Sequence, residues 1–253
     1  MGFLKDQPFI FNTQSQTRTS PLKVGDQEAG SQSLLTHSQI HIFKNSSLKT
    51  VILPISIIPS IPYMVACAKC DKIIIDGGEH YQKQTIRNRY HILSANGVLS
   101  LTVNVTSQKG EKIPTDQIGI DYEKHWIREH LRAIESAYRS APFYEHYFPL
   151  VVELLESKYS SMKDMFLSGF PQWLRLSGVN CDWQYSSTFV ETPADIDLRR
   201  PIKKPSDFPP SLSTPDYMQV FFDRFPFSPN LSIIDLLMNE GPAANTILLK
   251  SGE

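Results

Sequence analysis

Cysteine is scarce in this chain: three residues in 253, at positions 67, 70 and 181. Three thiols build no disulfide framework, so a reducing cytoplasm is the expected setting. Neither sign of charge is in excess, with 25 lysines and arginines against 26 aspartates and glutamates. A protein that grips DNA or RNA non-specifically carries a marked positive surplus, so no nucleic-acid partner is expected. Long apolar runs are missing too. The strongest, Val51 to Ile61, falls short of the ~18 residues of a membrane span and is interrupted by Pro54 and Pro59. The N-terminus lacks the charged-then-apolar pattern of a signal peptide. There is no glycine-rich phosphate loop of the usual spacing, no Gly-x-Ser-x-Gly elbow and no His-Glu-x-x-His.

What is present suits a protein with a substantial core, since 41% of the residues are hydrophobic. Residues 1–47 are the exception. Ser, Thr, Gln, Asn and Gly dominate from Asn12 to Ser47, which predicts a mobile extension or a translation start placed too far upstream, with a single folded domain over 48–250. Val51-Ile52-Leu53 and Ile73-Ile74-Ile75 read as strands, and Tyr63 to Lys69 as a short helix between them. Asn96-Gly97 marks a hairpin between Tyr90 to Leu93 and Val98 to Val105. The period then changes. From Glu123 to Arg139 the residues Trp126, Ile127, His130, Leu131, Ile134, Ala137 and Tyr138 share one helical face. A second helix is expected from about Phe148 to Lys158, with Met162 to Phe166 as its continuation or a third, and Val179 to Ser187 as a returning strand. Thr192 to Thr214 is too rich in proline for regular structure and reads as a long loop or lid. Ser228-Pro229 starts a last helix that Gly241-Pro242 stops. The predicted fold class is α+β, a strand-rich N-terminal half packed against a largely helical C-terminal half.

The densest chemistry lies between two strands. Glu79-His80-Tyr81-Gln82-Lys83-Gln84-Thr85-Ile86-Arg87-Asn88-Arg89 places a carboxylate, an imidazole, a phenol, amides and three cations in eleven positions. A connector needs only a few small polar residues, so this density points to a binding surface for something polar or anionic. Arg87 and Arg89 would share a face of an extended segment and clamp a phosphate or carboxylate by forked hydrogen bonds. The alternative is an internal network that holds the hairpin to the helices.

Other candidates have bland readings beside them. His130 lies in the apolar arc of its helix, either as a satisfied core histidine or as a general base reaching a site. Cys67-x-x-Cys70 offers half a zinc site, with Cys181 as a third ligand at most, and it lies at a helix end rather than at the helix start a redox pair favours. Incidental buried thiols are the expectation, with neither metal nor cofactor. Tyr217, Phe221, Phe222, Phe225 and Phe227 read as core or lid packing, and Asn239-Glu240-Gly241-Pro242 as an ordinary helix end.

The ordered motifs resemble those of the WbqC-like proteins. They are Glu79 to Thr85 with Arg87-Asn88-Arg89, Ile92 to Gly97, and Trp126-x-x-x-His130 followed by Ser136 to Glu145. Two more are Tyr217-x-Gln219-Val220-Phe221 and Pro229 to Leu237 with Asn239 to Pro242. Leu131 and His80 depart from the pattern, standing where an aromatic and an asparagine are usual. The resemblance covers roughly residues 50 to 250. It implies a bacterial cytoplasmic protein of surface-polysaccharide synthesis, such as O-antigen, and a transferase that adds an acyl or aminoacyl group to a nucleotide-linked amino sugar. The alternative it implies is a non-catalytic sugar-nucleotide-binding or scaffolding protein.

Carried onto this chain, the resemblance and the residue pattern together give His130 as general base, with Glu79 or Glu240 orienting it. Arg87 and Arg89 would hold the diphosphate, and Lys83 or Asn88 would stabilise a developing oxyanion. Tyr81, Asn230, Asp235 and Asn239 complete the expected substrate site. The expected partner is a small anionic substrate, with a nucleotide sugar the leading candidate.

Overall fold

A computed structural model describes residues 49–106, 112–191 and 193–251. The extension expected over 1–47 lies outside the described residues. Asn45–Glu253 form one compact unit.

In chain order the elements are β1 (Thr50–Pro54), α1 (Ile61–Lys69), β2 (Lys72–Asp76), β3 (Arg89–Ser94), β4 (Gly97–Thr102), β5 (Val105–Thr106) and β6 (Gly119–Ile120). Then come α2 (Trp126–Tyr138), α3 (Tyr144–Glu156), α4 (Met162–Leu176), β7 (Trp183–Ser186), β8 (Ile196–Asp197), α5 (Ile233–Glu240) and α6 (Ala244–Leu249). The chain is α+β, with a strand-rich N-terminal region packed against a helical C-terminal region.

The central sheet is wholly parallel, in the order β7-β2-β1-β8. That arrangement explains the unbroken apolar runs of β1 and β2, because strands of a parallel sheet are covered on both faces and need no alternation. Helix α1 makes the crossover between them. Ser60 caps its start by accepting from the Tyr63 amide, Pro62 suits its first turn, and the chain leaves the helix at Cys70. β3 and β4 form the antiparallel hairpin that Asn96-Gly97 predicts, with Ser94 opposite Gly97 and Gly97 at φ +98. Helices α2 and α5 pack on β3.

Some boundaries differ from expectation for local reasons. α3 begins at Tyr144 rather than near Phe148, and Pro149 lies inside it rather than in its first turn. Met162 opens a separate third helix, α4, whose cap Ser161 accepts from the Asp164 amide. α5 starts at Ile233, later than Ser228-Pro229, because Asn230 takes a left-handed φ of +62 and the Ser232 amide is bonded to the His91 carbonyl. The proline-rich stretch after 192 is not wholly irregular: it supplies β8 and two short 3-10 turns, Pro205–Asp207 and Pro210–Leu212. Sheet order could not be read from sequence, since two of its four strands lie beyond residue 180.

Candidate functional site

The carboxyl ends of the parallel strands fall at Pro54, Asp76, Ser186 and Asp197. Open parallel sheets bind ligands just beyond such ends, and here the order places β2 and β8 on opposite sides of β1, a switch in the direction of winding. Asp76 is fully buried there. Its Oδ1 accepts the Glu79 amide at 3.0 Å, and its Oδ2 accepts the Val190 amide at 3.0 Å and Arg199 Nη1 at 2.8 Å. Arg199, two residues past β8, also donates Nε to Asp197 Oδ1 at 3.0 Å, Nη2 to Asp197 Oδ2 at 2.6 Å and Nη1 to the Val190 carbonyl at 2.6 Å. The loops leaving β2, β7 and β8 are thus tied together. Gly77 and Gly78 permit their close approach: a Cβ on the first would collide with the Tyr185 hydroxyl, and one on the second with the backbone of Thr188 and Phe189.

Behind this knot lies a buried pair. Arg87 donates Nε to Glu79 Oε1 at 2.7 Å and Nη2 to Glu79 Oε2 at 2.5 Å, the bidentate arrangement of a strong charge-assisted contact. Its other donors reach Thr85 Oγ1 at 3.0 Å and the Arg199 carbonyl at 2.6 Å. Burial pushes the Glu79 carboxyl up to about 7, against the pull of Arg87. The connecting segment is folded back on itself, with Thr85 Oγ1 donating to the Gln82 carbonyl and Gln84 at φ +57, so it is not the extended strand that would set Arg87 and Arg89 side by side.

Glu79, His80, Gln82, Phe189, Asp197, Arg199 and Arg200 line a cleft of about 500 Å³ beside the knot. Phe189 is 56% exposed, and the Arg199 guanidinium lies 4.6 Å from its ring centre. Arg200 is exposed, with one donor on the Asp207 carbonyl. The cleft combines a carboxyl titrating near neutrality, planar hydrogen-bonding groups, a cation and an aromatic face.

Residues 56–202, more than half of the chain, match the WbqC-like protein family. The chain belongs to that family. The family is associated with polysaccharide biosynthesis. Every residue lining the cleft falls within the matched segment, whereas the motifs at Tyr217 to Pro242 lie beyond it. No curated protein and no solved structure matches.

In this WbqC-like protein the residues singled out from sequence are dispersed. Glu79 and Gln82 line the cleft, and Arg87 stands behind Glu79 with no exposure. Arg89 is half-buried and donates to Thr102 Oγ1 at 3.1 Å, so the two arginines share no partner. Tyr81 is half-buried, its hydroxyl pushed up to about 12 by burial, and Lys83 is exposed outside the cleft lining. Asn88 donates to the Val103 carbonyl at 2.9 Å, while its Oδ1 is buried without a partner.

His130 is not part of the cleft lining. Its Nδ1 lies 2.9 Å from the Tyr90 hydroxyl, and its ring packs edge-on against Tyr90 and Trp126. Burial lowers the imidazole to about 4, so it is neutral, with Nδ1 accepting from Tyr90. That is a satisfied core histidine. Asp235 is fully buried in a second network, accepting from Tyr138, Tyr217 and Gln219, and Asn239 donates to its carbonyl at 2.8 Å. Asn230 donates to the Pro205 carbonyl at 3.1 Å, and Glu240 Oε1 accepts the Met218 amide at 3.2 Å. The three residues expected to carry catalysis, His130, Glu79 and Glu240, therefore have separate partners.

Sequence reasoning missed Asp76, Phe189, Asp197, Arg199 and Arg200. One signal was available, the acid Asp76 that closes the apolar run Ile73-Ile74-Ile75. Cys67 and Cys70 are buried at the end of α1, and Cys181 is half-buried. Among the described residues no group of three or more His, Cys, Asp or Glu side chains is arranged to hold a metal ion.

Proposed function

We propose that this protein acts in the cytoplasm as a transferase of surface-polysaccharide synthesis, joining an acyl or aminoacyl group to the amine of a nucleotide-linked sugar bound in the cleft. The observation that carries this reading is Glu79, a carboxyl in the cleft wall that burial raises to about 7 while Arg87 fixes its orientation. A base with that affinity for protons suits an attacking amine near neutral pH. Both carboxylate oxygens are engaged by Arg87, yet each keeps a lone pair for a further proton. In the step, the amine nitrogen attacks the acyl carbonyl carbon, the C–N bond forms, the bond to the donor's leaving group breaks, and the proton leaving nitrogen passes to Glu79.

The remaining lining has matching uses. Arg200, the cation of the cleft that is not held by a carboxylate, would meet phosphate oxygens. Gln82 and Asp197 would hydrogen-bond sugar hydroxyls, and Phe189 would receive the apolar face of a sugar ring or base.

A specific observation favours a second reading, binding without catalysis. Arg87 and Arg199 are both already paired with carboxylates inside the protein. Thermal unfolding with a panel of uridine and thymidine diphosphate amino sugars separates the outcomes, since a ligand selective for the folded state raises Tm. A shift that Arg200→Gln diminishes, with acyl transfer lost in Glu79→Gln but affinity kept, supports the transferase. Affinity kept in both Glu79→Gln and wild type, with no turnover on any acyl donor, supports the binding protein. No shift with any member of the panel rejects both.

A further inference from the structure

Away from the cleft, a second groove of about 410 Å³ runs along α2. It shares no lining residue with the cleft. Lys124, Arg128, Arg132 and Lys158 line it, and among the described residues none of these four cations has a hydrogen bond or an ion pair. Two carboxylates also line it, Glu135, which pairs with Arg139 at 3.8 Å, and Glu156. The balance of these six groups is positive in a chain whose formal charge is -1. The rest of the lining is the exposed His125 and three half-buried residues with apolar surface, Tyr122, Ile127 and Leu131, with the Tyr122 ring stacked on Trp126.

The placement of Arg128 opposes what helix stability selects. Arg128 and Arg132 are four apart on one helix, a like-charge spacing that costs stability. Arg128 stands in the first turn, with Lys124 and His125 just before it, at the end of the helix where the backbone dipole favours anions. Conflicts between local preference and residue choice concentrate at functional sites, because a ligand supplies the missing counter-charge.

We propose that this groove binds a phosphorylated ligand that carries an apolar portion, its phosphate held by Arg128, Arg132, Lys124 and Lys158 and its apolar part lying on Tyr122, Ile127 and Leu131. The same chemistry is offered by a soluble phosphate ester and by the headgroup of an anionic lipid, and the test distinguishes them. The full chain is titrated calorimetrically with phenyl phosphate and with inorganic phosphate, and is sedimented with vesicles of phosphatidylglycerol or of phosphatidylcholine. The comparison protein carries Arg128→Gln and Arg132→Gln, both exposed positions whose loss relieves like-charge repulsion, so its Tm is expected to equal or exceed that of wild type.

Phenyl phosphate is expected to bind wild type on the order of tenfold tighter than inorganic phosphate, and the double substitution to weaken it by about tenfold, with a reduced salt dependence. Sedimentation with phosphatidylglycerol alone, abolished by the double substitution, identifies a lipid as the source even if phenyl phosphate fails to bind. Binding of neither probe, or binding that the double substitution leaves unchanged, overturns the proposal.

Discussion

Arg199 Nη1 lies 2.8 Å from Asp76 Oδ2, and the same guanidinium grips Asp197 at the end of β8. One side chain thereby joins the carboxyl ends of two strands that are separated by β1 in the sheet and by more than a hundred residues in the chain. The cleft owes its wall to this contact. Asp76 has no exposure, and breaking a buried pair by removing one partner is strongly destabilising.

Arg199→Met keeps the stem beside Phe189 and removes the cation. Asp76 is then a buried carboxylate held only by backbone amides, and a cost of about 3–5 kcal/mol is expected. Urea unfolding measures it. Adding Asp76→Asn should restore part of the loss, because the two changes share one interaction. A single variant as stable as wild type would show that the strap contributes nothing.

The Glu79–Arg87 pair should respond asymmetrically. Glu79→Ala strands a guanidinium that cannot shed its proton, whereas Arg87→Ala strands a carboxyl that can neutralise itself by binding one. Near pH 6 the first substitution is therefore expected to cost more. The sign of the pH dependence follows from the raised carboxyl: a folded-state value of about 7, above the unfolded value, means the folded protein holds the extra proton. Glu79's contribution to stability accordingly falls as pH rises from about 4.5 to 7. Arg87→Ala raises the carboxyl further and steepens that fall. Chemical denaturation at pH 5, 6, 7 and 8 tests the slope, and a slope no steeper than wild type refutes the argument.

Much of the framework was legible because it is local. Apolar β-branched runs gave β1 and β2, Asn96-Gly97 gave the hairpin, and the 3.6-residue stripe from Trp126 to Tyr138 gave α2. The cluster at 79–89 was visible as chemistry, and three of its members, Glu79, His80 and Gln82, line the cleft. Its geometry was not visible, because extended backbone was assumed where Gln84 turns the chain at positive φ. Arg199 was hidden for a different reason. Its partner Asp76 lies 123 residues away, and only the parallel pairing of β8 with β1 brings the two together. His130 shows the limit of face assignment: periodicity put it inward, and only the hydroxyl of Tyr90 and the packed rings of Tyr90 and Trp126 show that inward means core.

Acid should expose the cost of burying that imidazole. His130 is lowered to about 4, so the unfolded chain binds its proton at about 6.5 and the folded chain does not. Stability is full above pH 6.5 and is lost as pH falls towards 4, by up to roughly 3 kcal/mol. His91, also lowered to about 4 by burial and by Arg89, acts in the same direction, while Glu79 acts in the opposite one. Comparing His130→Gln with wild type cancels both. The variant should lose less stability between pH 6.5 and 4, and parallel curves would mean that His130 binds its proton equally well in both states.

The Asp235 network makes a prediction about direction as well as size. Tyr138 accepts the Leu93 amide at 3.1 Å, so its hydroxyl proton is committed to Asp235 Oδ1 at 2.7 Å. Gln219 Oε1 accepts the Ser228 amide at 2.9 Å, which aims its amino group at Asp235 Oδ2, also 2.9 Å away. Tyr217 donates to the same oxygen. Three donors from α2 and the 217–219 segment thus converge on one buried carboxylate of α5, which burial pushes up and these donors pull down. Asn at 235 offers one acceptor and sets an amino group against committed donors. Asp235→Asn is therefore expected to cost about 3 kcal/mol, several times more than Tyr217→Phe at about 1 kcal/mol, because the latter removes a donor without creating a conflict. Urea unfolding of the two variants, and of the double variant, decides the matter: equal losses would show that Asp235 is held by packing rather than by the fixed direction of its partners.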